Sequence, residues 1–276
     1  FGTAIRGCED SLYESGYNLF LCNTNEDVER ERYNLDLLVG RGVDALVLWG
    51  TRLCCEELSD LVGRDLPLVT VELEEEPIRA KHTCINVENV QGANMATQHL
   101  IHQGYRRIGH LAGPRERITA QRRIQGYHQA LREAGIGPVP ESVRAASPSI
   151  AGGYSSALDL LQDIQPEALF CYNDLMAIGV YVAARELGLT IPDDLAVVGF
   201  DDVVMSALLE PPLTTVRIAQ YELGQMAGKA TLEILQGKQG QPATIPFPVQ
   251  LKVRRSSGGT SLGPEDERAM WRTIVF

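Results

Sequence analysis

Two adjacent carboxylates, Asp201 and Asp202, follow directly on the apolar residues Leu195, Ala196, Val197 and Val198 and the pair Gly199 and Phe200. A run of that length and composition reads as a strand covered on both faces, so the aspartates arrive at its carboxyl end. In open α/β sheets that edge is where ligands bind, and carboxylates placed there accept hydrogen bonds from a polar ligand. Pro211 and Pro212 then exclude a helix, and residues 213–217, with β-branched Thr214, Thr215 and Val216, are expected to run extended.

Other chemistry-bearing groups carry weaker signals. His99 and His102 stand three apart on a predicted helix, which is half of a metal site. No acidic or cysteine partner follows at useful spacing, so they read as a solvated helical face. Glu72, Glu74, Glu75 and Glu76 read as an exposed loop after a strand. The six cysteines at 8, 22, 54, 55, 84 and 171 contain no C-x-x-C pair. They are expected to be free thiols in a reducing compartment, with Cys54 and Cys55 at a helix start. The chain has no G-x-S-x-G elbow, no phosphate loop and no dinucleotide fingerprint. No catalytic constellation, metal site or cofactor site is therefore expected, and the protein is read as a non-enzyme.

The elements that must position these groups alternate. Strand-length apolar runs at 17–22, 43–49 and 66–71 are separated by helical periodicity near 28–39 and 56–63. That βαβ order predicts a parallel sheet. A short strand at 85–87 leads to helices at 90–103, 119–134, 154–161 and 175–187, interleaved with strands at 108–111, 168–172 and 195–200. A helix at 221–235 and a last strand at 247–253 close the pattern. With 276 residues the chain suits two lobes. No apolar run reaches the roughly 18 residues a membrane helix needs. A net charge of −11 argues against nucleic acid being held by this chain itself.

Taken in order, LFLCNT, GVDALVL, INVENVQGA, HLIHQGYRRIGHLAGP, RRIQGYHQAL, CYNDLMAIGV and VVGFDD, followed by PPLTTVR, resemble the effector-binding core of the LacI family of bacterial transcription regulators. The resemblance runs over about residues 1–258. It implies a periplasmic binding protein-like fold of type I: an α/β chain in two similar lobes, each a parallel sheet flanked by helices, with three crossovers. The lobes would be 1–87 with 218–247 and 88–217 with 248–258, and 259–276 would form a tail. The crossovers would fall near Val87, Arg217 and Phe247, with a ligand in the cleft between the lobes.

The resemblance also implies binding positions, carried over where the motifs match: Arg123 of RRIQGY, Asn173 of CYND and Asp201 of VGFDD. Their chemistry suits a polyhydroxylated ligand, since the guanidinium fork donates, the carboxylate accepts and the amide does both. The alternatives are a surface ion pair for Arg123 and a helix cap for Asp201. Glu88 stands where the family has Asp, one methylene farther out, so ligand identity does not transfer. Asn89 is a further candidate, or the N-cap of the helix that follows. Phe170 and Tyr172 fall on one face of a strand, where one could stack on a sugar ring and at least one packs in the core. Ser147 and Ser149 lie in a loop that often reaches ligand in relatives, without a residue-level match.

As a LacI-type core the protein is expected to bind a small sugar-like effector, to form a homodimer in the cytoplasm, and to reach operator DNA through a headpiece preceding Phe1. It is expected to have no membrane partner. A free-standing solute receptor of a sugar transporter shares the fold and is the alternative; an enzyme on this fold comes third. Phe1 aligns with an aromatic that the family places after its first strand, so that central strand is expected to be missing here. Residues 271–276, WRTIVF, read as a strand, of which 273–276 are the candidate to pair into its place, against a tail packed on the surface or on another subunit.

Overall fold

The computed structural model describes residues 2–25, 27–53, 56–58, 66–73, 82–137, 139–238 and 243–258. The tail at 271–276, Glu74 to Glu76, and Cys54 and Cys55 lie outside them. The chain divides into two compact units, Phe1–Val87 with Ala219–Pro248, and Glu88–Ile218 with the residues from Val249.

Unit 1 carries α1 (Gly2–Tyr13), α2 (Val28–Gly40), β1 (Leu46–Trp49), β2 (Leu68–Val71) and β3 (His82–Val87). After unit 2 the chain returns with α8 (Gln220–Leu235) and β9 (Ala243–Phe247). The four strands form one parallel sheet in the order β1-β2-β3-β9. Leu35, Leu46, Leu53, Leu58 and Leu68 make a buried leucine cluster. Helices α1 and α8 meet along a seam of small residues: a Cβ on Gly224 would fall on the Ala4 carbonyl, and one on Gly7 on the Tyr221 carbonyl.

Two expectations fail in this unit. Residues 17–22 form no strand, and Phe20 and Leu21 are 73% and 63% exposed. A strand exists only where a neighbour satisfies its backbone, and among the described residues none is paired with this segment. The second failure is β9, which the sequence reading leaves out. Its Pro246 argues against a strand, yet β9 is the last strand beside β3, where a missing N–H is tolerated.

Unit 2 contains α3 (Asn89–His102), β4 (Ile108–Ala112), α4 (Ile118–Glu133), β5 (Val143–Ala145), α5 (Ile150–Asp163) and β6 (Ala168–Cys171). It continues with α6 (Asp174–Glu186), β7 (Ala196–Asp201), α7 (Val204–Leu208), β8 (Thr214–Arg217) and β10 (Gln250–Lys252). The sheet order is β10-β8-β7-β6-β4-β5. All pairs are parallel except β10 with β8, an antiparallel edge on the expected parallel sheet. Antiparallel edge strands on otherwise parallel sheets are common, because an edge needs only one matched neighbour.

Alternation divides this core. Leu111, Leu169, Cys171 and Val197 pack with Ala157, Leu160, Met176 and Val180 of α5 and α6. His110, Phe170 and Phe200 point the other way, and Phe200 lies against Gly92 of α3. His110 is wholly buried between Phe170, stacked at 4.6 Å, and Tyr127 at 5.3 Å. Its Nδ1 lies 2.8 Å from the Phe170 carbonyl, so Nδ1–H donates. Burial, as the main cause, pushes its pKa down from the ordinary 6.5 to about 4.

The unfolded chain then binds a proton that the folded chain refuses. Stability from this group is full above pH 6.5 and is lost as pH falls towards 4, by about 3 kcal/mol in all. Urea denaturation of wild type and His110→Phe at pH 7.5 and 4.5 checks this. The substituted chain is expected to lose less stability on acidification; an equal loss in both refutes it.

Candidate functional site

Helix α4 buries Thr119, Ala120, Arg123, Gly126, Tyr127, Ala130 and Leu131, a stripe at helical spacing. Arg123 occupies one of its inner positions, so the stripe carries a guanidinium inward and leaves it 4% exposed. A buried cation is tolerated only when solvated by protein groups. Its Nε donates to Asn89 Oδ1 at 2.8 Å, and its Nη1 donates to the Tyr172 carbonyl. The guanidinium carbon lies 3.6 Å from the Phe200 ring centroid and 4.6 Å from that of Tyr172, both cation–π distances. Nη2 is 3.7 Å from Asp201 Oδ1, an ion pair too long for a hydrogen bond.

Asp201 ends β7 with φ +106°, and Asp202 follows with φ +56°, both in a region that side chains other than glycine rarely adopt. Asp174, at the start of α6, is fully buried behind them. Its Oδ1 accepts from Thr215 Oγ1 at 2.6 Å and its Oδ2 from the Val203 N–H at 2.9 Å. Burial first, then the Asp201 charge, raises the Asp174 carboxyl well above the usual carboxylate range. Gly199 makes this arrangement possible, since a Cβ there would fall on Asp174 Oδ1.

The structure gathers Arg123, Asn89 and Asp201 into one cluster. Asn89 is not the N-cap of α3. Glu88 takes that position without a side-chain cap bond and is half-buried, while Asn89 is 1% exposed and turned to Arg123. Asn173 sits at the edge: its Oδ1 caps α6 by accepting from Met176 N–H at 2.9 Å, and its Nδ2 lies 3.5 Å from the Pro148 carbonyl. Phe170 is fully buried in the stack with His110, which is the core-packing alternative for this residue. Tyr172, two residues on and past the end of β6, is the aromatic beneath Arg123, with its hydroxyl 2.7 Å from Thr119 Oγ1. Ser149 caps α5 by accepting from Gly152 N–H.

Sequence reading missed the roles of Phe200, Asp174 and Arg254. Phe200 carried a usable signal, as an aromatic one residue before the carboxylate pair. Arg254 carried none, because its partners lie 40 and more positions away.

His99 is half-buried, with Nε2 2.8 Å from Ser257 Oγ, and burial lowers its pKa. Among the described residues no three His, Cys, Asp or Glu side chains are placed to hold a metal ion. Cys8, Cys84 and Cys171 are buried free thiols, and Cys22 is a half-buried one. No described helix is long and apolar enough to cross a membrane.

The family model of a periplasmic binding protein-like domain matches residues 97–257. The ribose operon repressor of Escherichia coli (strain K12) is 34% identical over 232 residues, covering 82% of this chain and 69% of that protein. The HTH-type transcriptional repressor PurR of Pasteurella multocida (strain Pm70) is 33% identical over 263 residues, covering 93% of this chain and 77% of that protein. A crystal structure of a LacI family transcriptional regulator from Enterococcus faecium with bound ribose is similar at a TM-score of 0.83 and 25% identity, over 93% of each chain. These relatives are transcriptional regulators.

Proposed function

Since the chain belongs to the LacI family of transcription regulators, we propose that its unit 2 cluster of Arg123, Asn89 and Asp201 holds a small polyhydroxylated effector whose binding changes affinity for operator DNA. The observation that carries this reading is the buried guanidinium of Arg123 facing Asp201 at 3.7 Å. Two arms of its fork are already held by Asn89 and Tyr172, and Asp201 opposes its charge. An anionic ligand would meet that carboxylate, so a neutral sugar or sugar derivative is the class that fits. The solved relative with bound ribose agrees with this class. Glu88 and Asn173 border the cluster and are the next positions for ligand contact.

The switch rests on differential affinity. An effector alters operator binding only by the difference in its free energy of binding to two states of the protein. Operator contact is assigned to a DNA-binding headpiece and not to this acidic chain, and the regulator acts in the cytoplasm as a homodimer. A self-association surface is supported by α7, which exposes Val204 at 57%, Met205 at 49% and Leu208 at 55%.

Calorimetry of the chain against D-ribose, D-glucose, D-galactose and D-fructose tests the ligand class, and sedimentation of the same samples tests the dimer. At least one neutral sugar is expected to bind with a Kd below about 1 mM. Heat from anionic or nucleobase compounds with none from any neutral sugar would overturn the reading, and a monomer at micromolar concentration would overturn the dimer.

A further inference from the structure

Asp201 and Asp202 hold positive φ in succession, and something must keep them there. The residue that grips the second of them is Arg254, just past β10. It is 7% exposed, and its Nη2 donates to Asp202 Oδ1 at 2.7 Å. Its Nη1 reaches the Leu213 carbonyl at 2.8 Å and Ser206 Oγ at 3.2 Å, and its backbone N–H donates to Thr214 Oγ1 at 2.8 Å. One side chain thus ties the turn after β7 to α7, to β8 and to the strand end where it resides. From the other side, Asp174 holds the same turn through the Val203 N–H and Thr215.

The first aspartate is set differently. Its carboxylate stands 3.7 Å from Arg123, and its side chain is 27% exposed against 14% for Asp202. The pair therefore differs in setting, with Asp202 held by Arg254 and Asp201 placed beside Arg123. A one-residue change in which carboxylate Arg254 grips would carry Asp201 away from Arg123.

We infer that Arg254 is a positioning residue, which through Asp202 fixes the strained backbone at 201–202 and so presents the Asp201 carboxylate to the effector. This rests on the reading of Asp201 as a ligand contact. It adds that ligand affinity depends on a residue that does not belong to the cluster around Arg123. The requirement is for a fork: a lysine ammonium cannot reach Asp202, Ser206 and the Leu213 carbonyl in one plane.

Two measurements test it. Amide hydrogen exchange followed by NMR needs no ligand. In Arg254→Met the Asp202 and Val203 amides are expected to exchange at least about tenfold faster, while those of β4 and β6 stay within about twofold. Unchanged exchange at 202–203 overturns the inference, and so does uniform acceleration across the unit. Should Arg254→Met fail to fold, Arg254→Lys, and Asp202→Gly combined with Arg254→Met, serve in its place, since neither leaves a buried charge unopposed.

The second measurement is calorimetry with whichever of the four monosaccharides binds best, in a double-mutant cycle. Arg254→Met is expected to weaken binding at least about tenfold in the wild-type background and less than about twofold in Asp201→Ala. An equal effect in both backgrounds means that Arg254 acts on stability alone and overturns the inference. If Asp201→Ala itself leaves affinity unchanged, the ligand reading of Asp201 has failed instead.

Discussion

Arg123→Met is expected to weaken binding of the cognate monosaccharide at least about 100-fold and to cost about 3 kcal/mol of stability. The two losses share a cause. Methionine fills much of the volume and can still lie against Phe200 and Tyr172, which flank the guanidinium at 3.6 and 4.6 Å. It cannot donate, so Asn89 Oδ1 and the Tyr172 carbonyl, each an acceptor for Arg123, lose their buried donor, and Asp201 loses its opposing charge. Arg123→Lys separates the contributions: it keeps the charge and loses the fork, so stability should recover more than affinity does. Calorimetry and urea denaturation read the two effects. Wild-type affinity in Arg123→Met would remove this residue from the ligand site.

Gly126→Val is expected to be strongly destabilising. Gly126 lies three residues after Arg123, one turn along the same helix face. A Cβ there would fall on the Val90 carbonyl oxygen, 2.8 Å from the Ala93 Cβ and 2.9 Å from the Asn94 N–H nitrogen. These are backbone and near-backbone atoms of α3, so no rotamer change relieves them and the two helices must separate. Overpacking of this kind costs about 3 kcal/mol. The separation also draws Asn89, the first residue of α3, away from Arg123, so ligand affinity should fall by about tenfold in chains that still fold. Gly126→Ala meets the same atoms with less bulk and should show a smaller effect in both measurements. A wild-type melting temperature for Gly126→Val would show that the seam between α3 and α4 yields more readily than its geometry indicates.

The order of elements was legible because hydrophobic period is a local property. Runs of four or five apolar residues marked β1, β6 and β7, mostly apolar stretches marked β2 and β4, and helical spacing marked α4, α6 and α8. Local patterns misled where a neighbour decides. Residues 17–22 have strand composition without a paired strand among the described residues, and β9 has a proline that its edge position accommodates. The site was half legible. Arg123, Asn89 and Asp201 were named from their motifs, and they do meet, but alternation could not choose between Phe170 and Tyr172. Both lie on one face; depth separates them, and depth depends on what α3 and α4 place above the sheet.

The amino-acid sequence by itself determined the α/β class, the ordered motifs of a LacI-type regulator core, and the chemistry of a guanidinium set against a carboxylate. The tertiary structure alone decided which of two adjacent aspartates pairs with Arg254 and which stands 3.7 Å from Arg123. Asp201 and Asp202 are identical in composition and neighbours in sequence. They differ because Arg254, 52 residues beyond Asp202, arrives just past β10, which lies beside β8, and takes hold of the second one. No local pattern records an ion pair made across such a separation, because its existence depends on two strands being laid side by side.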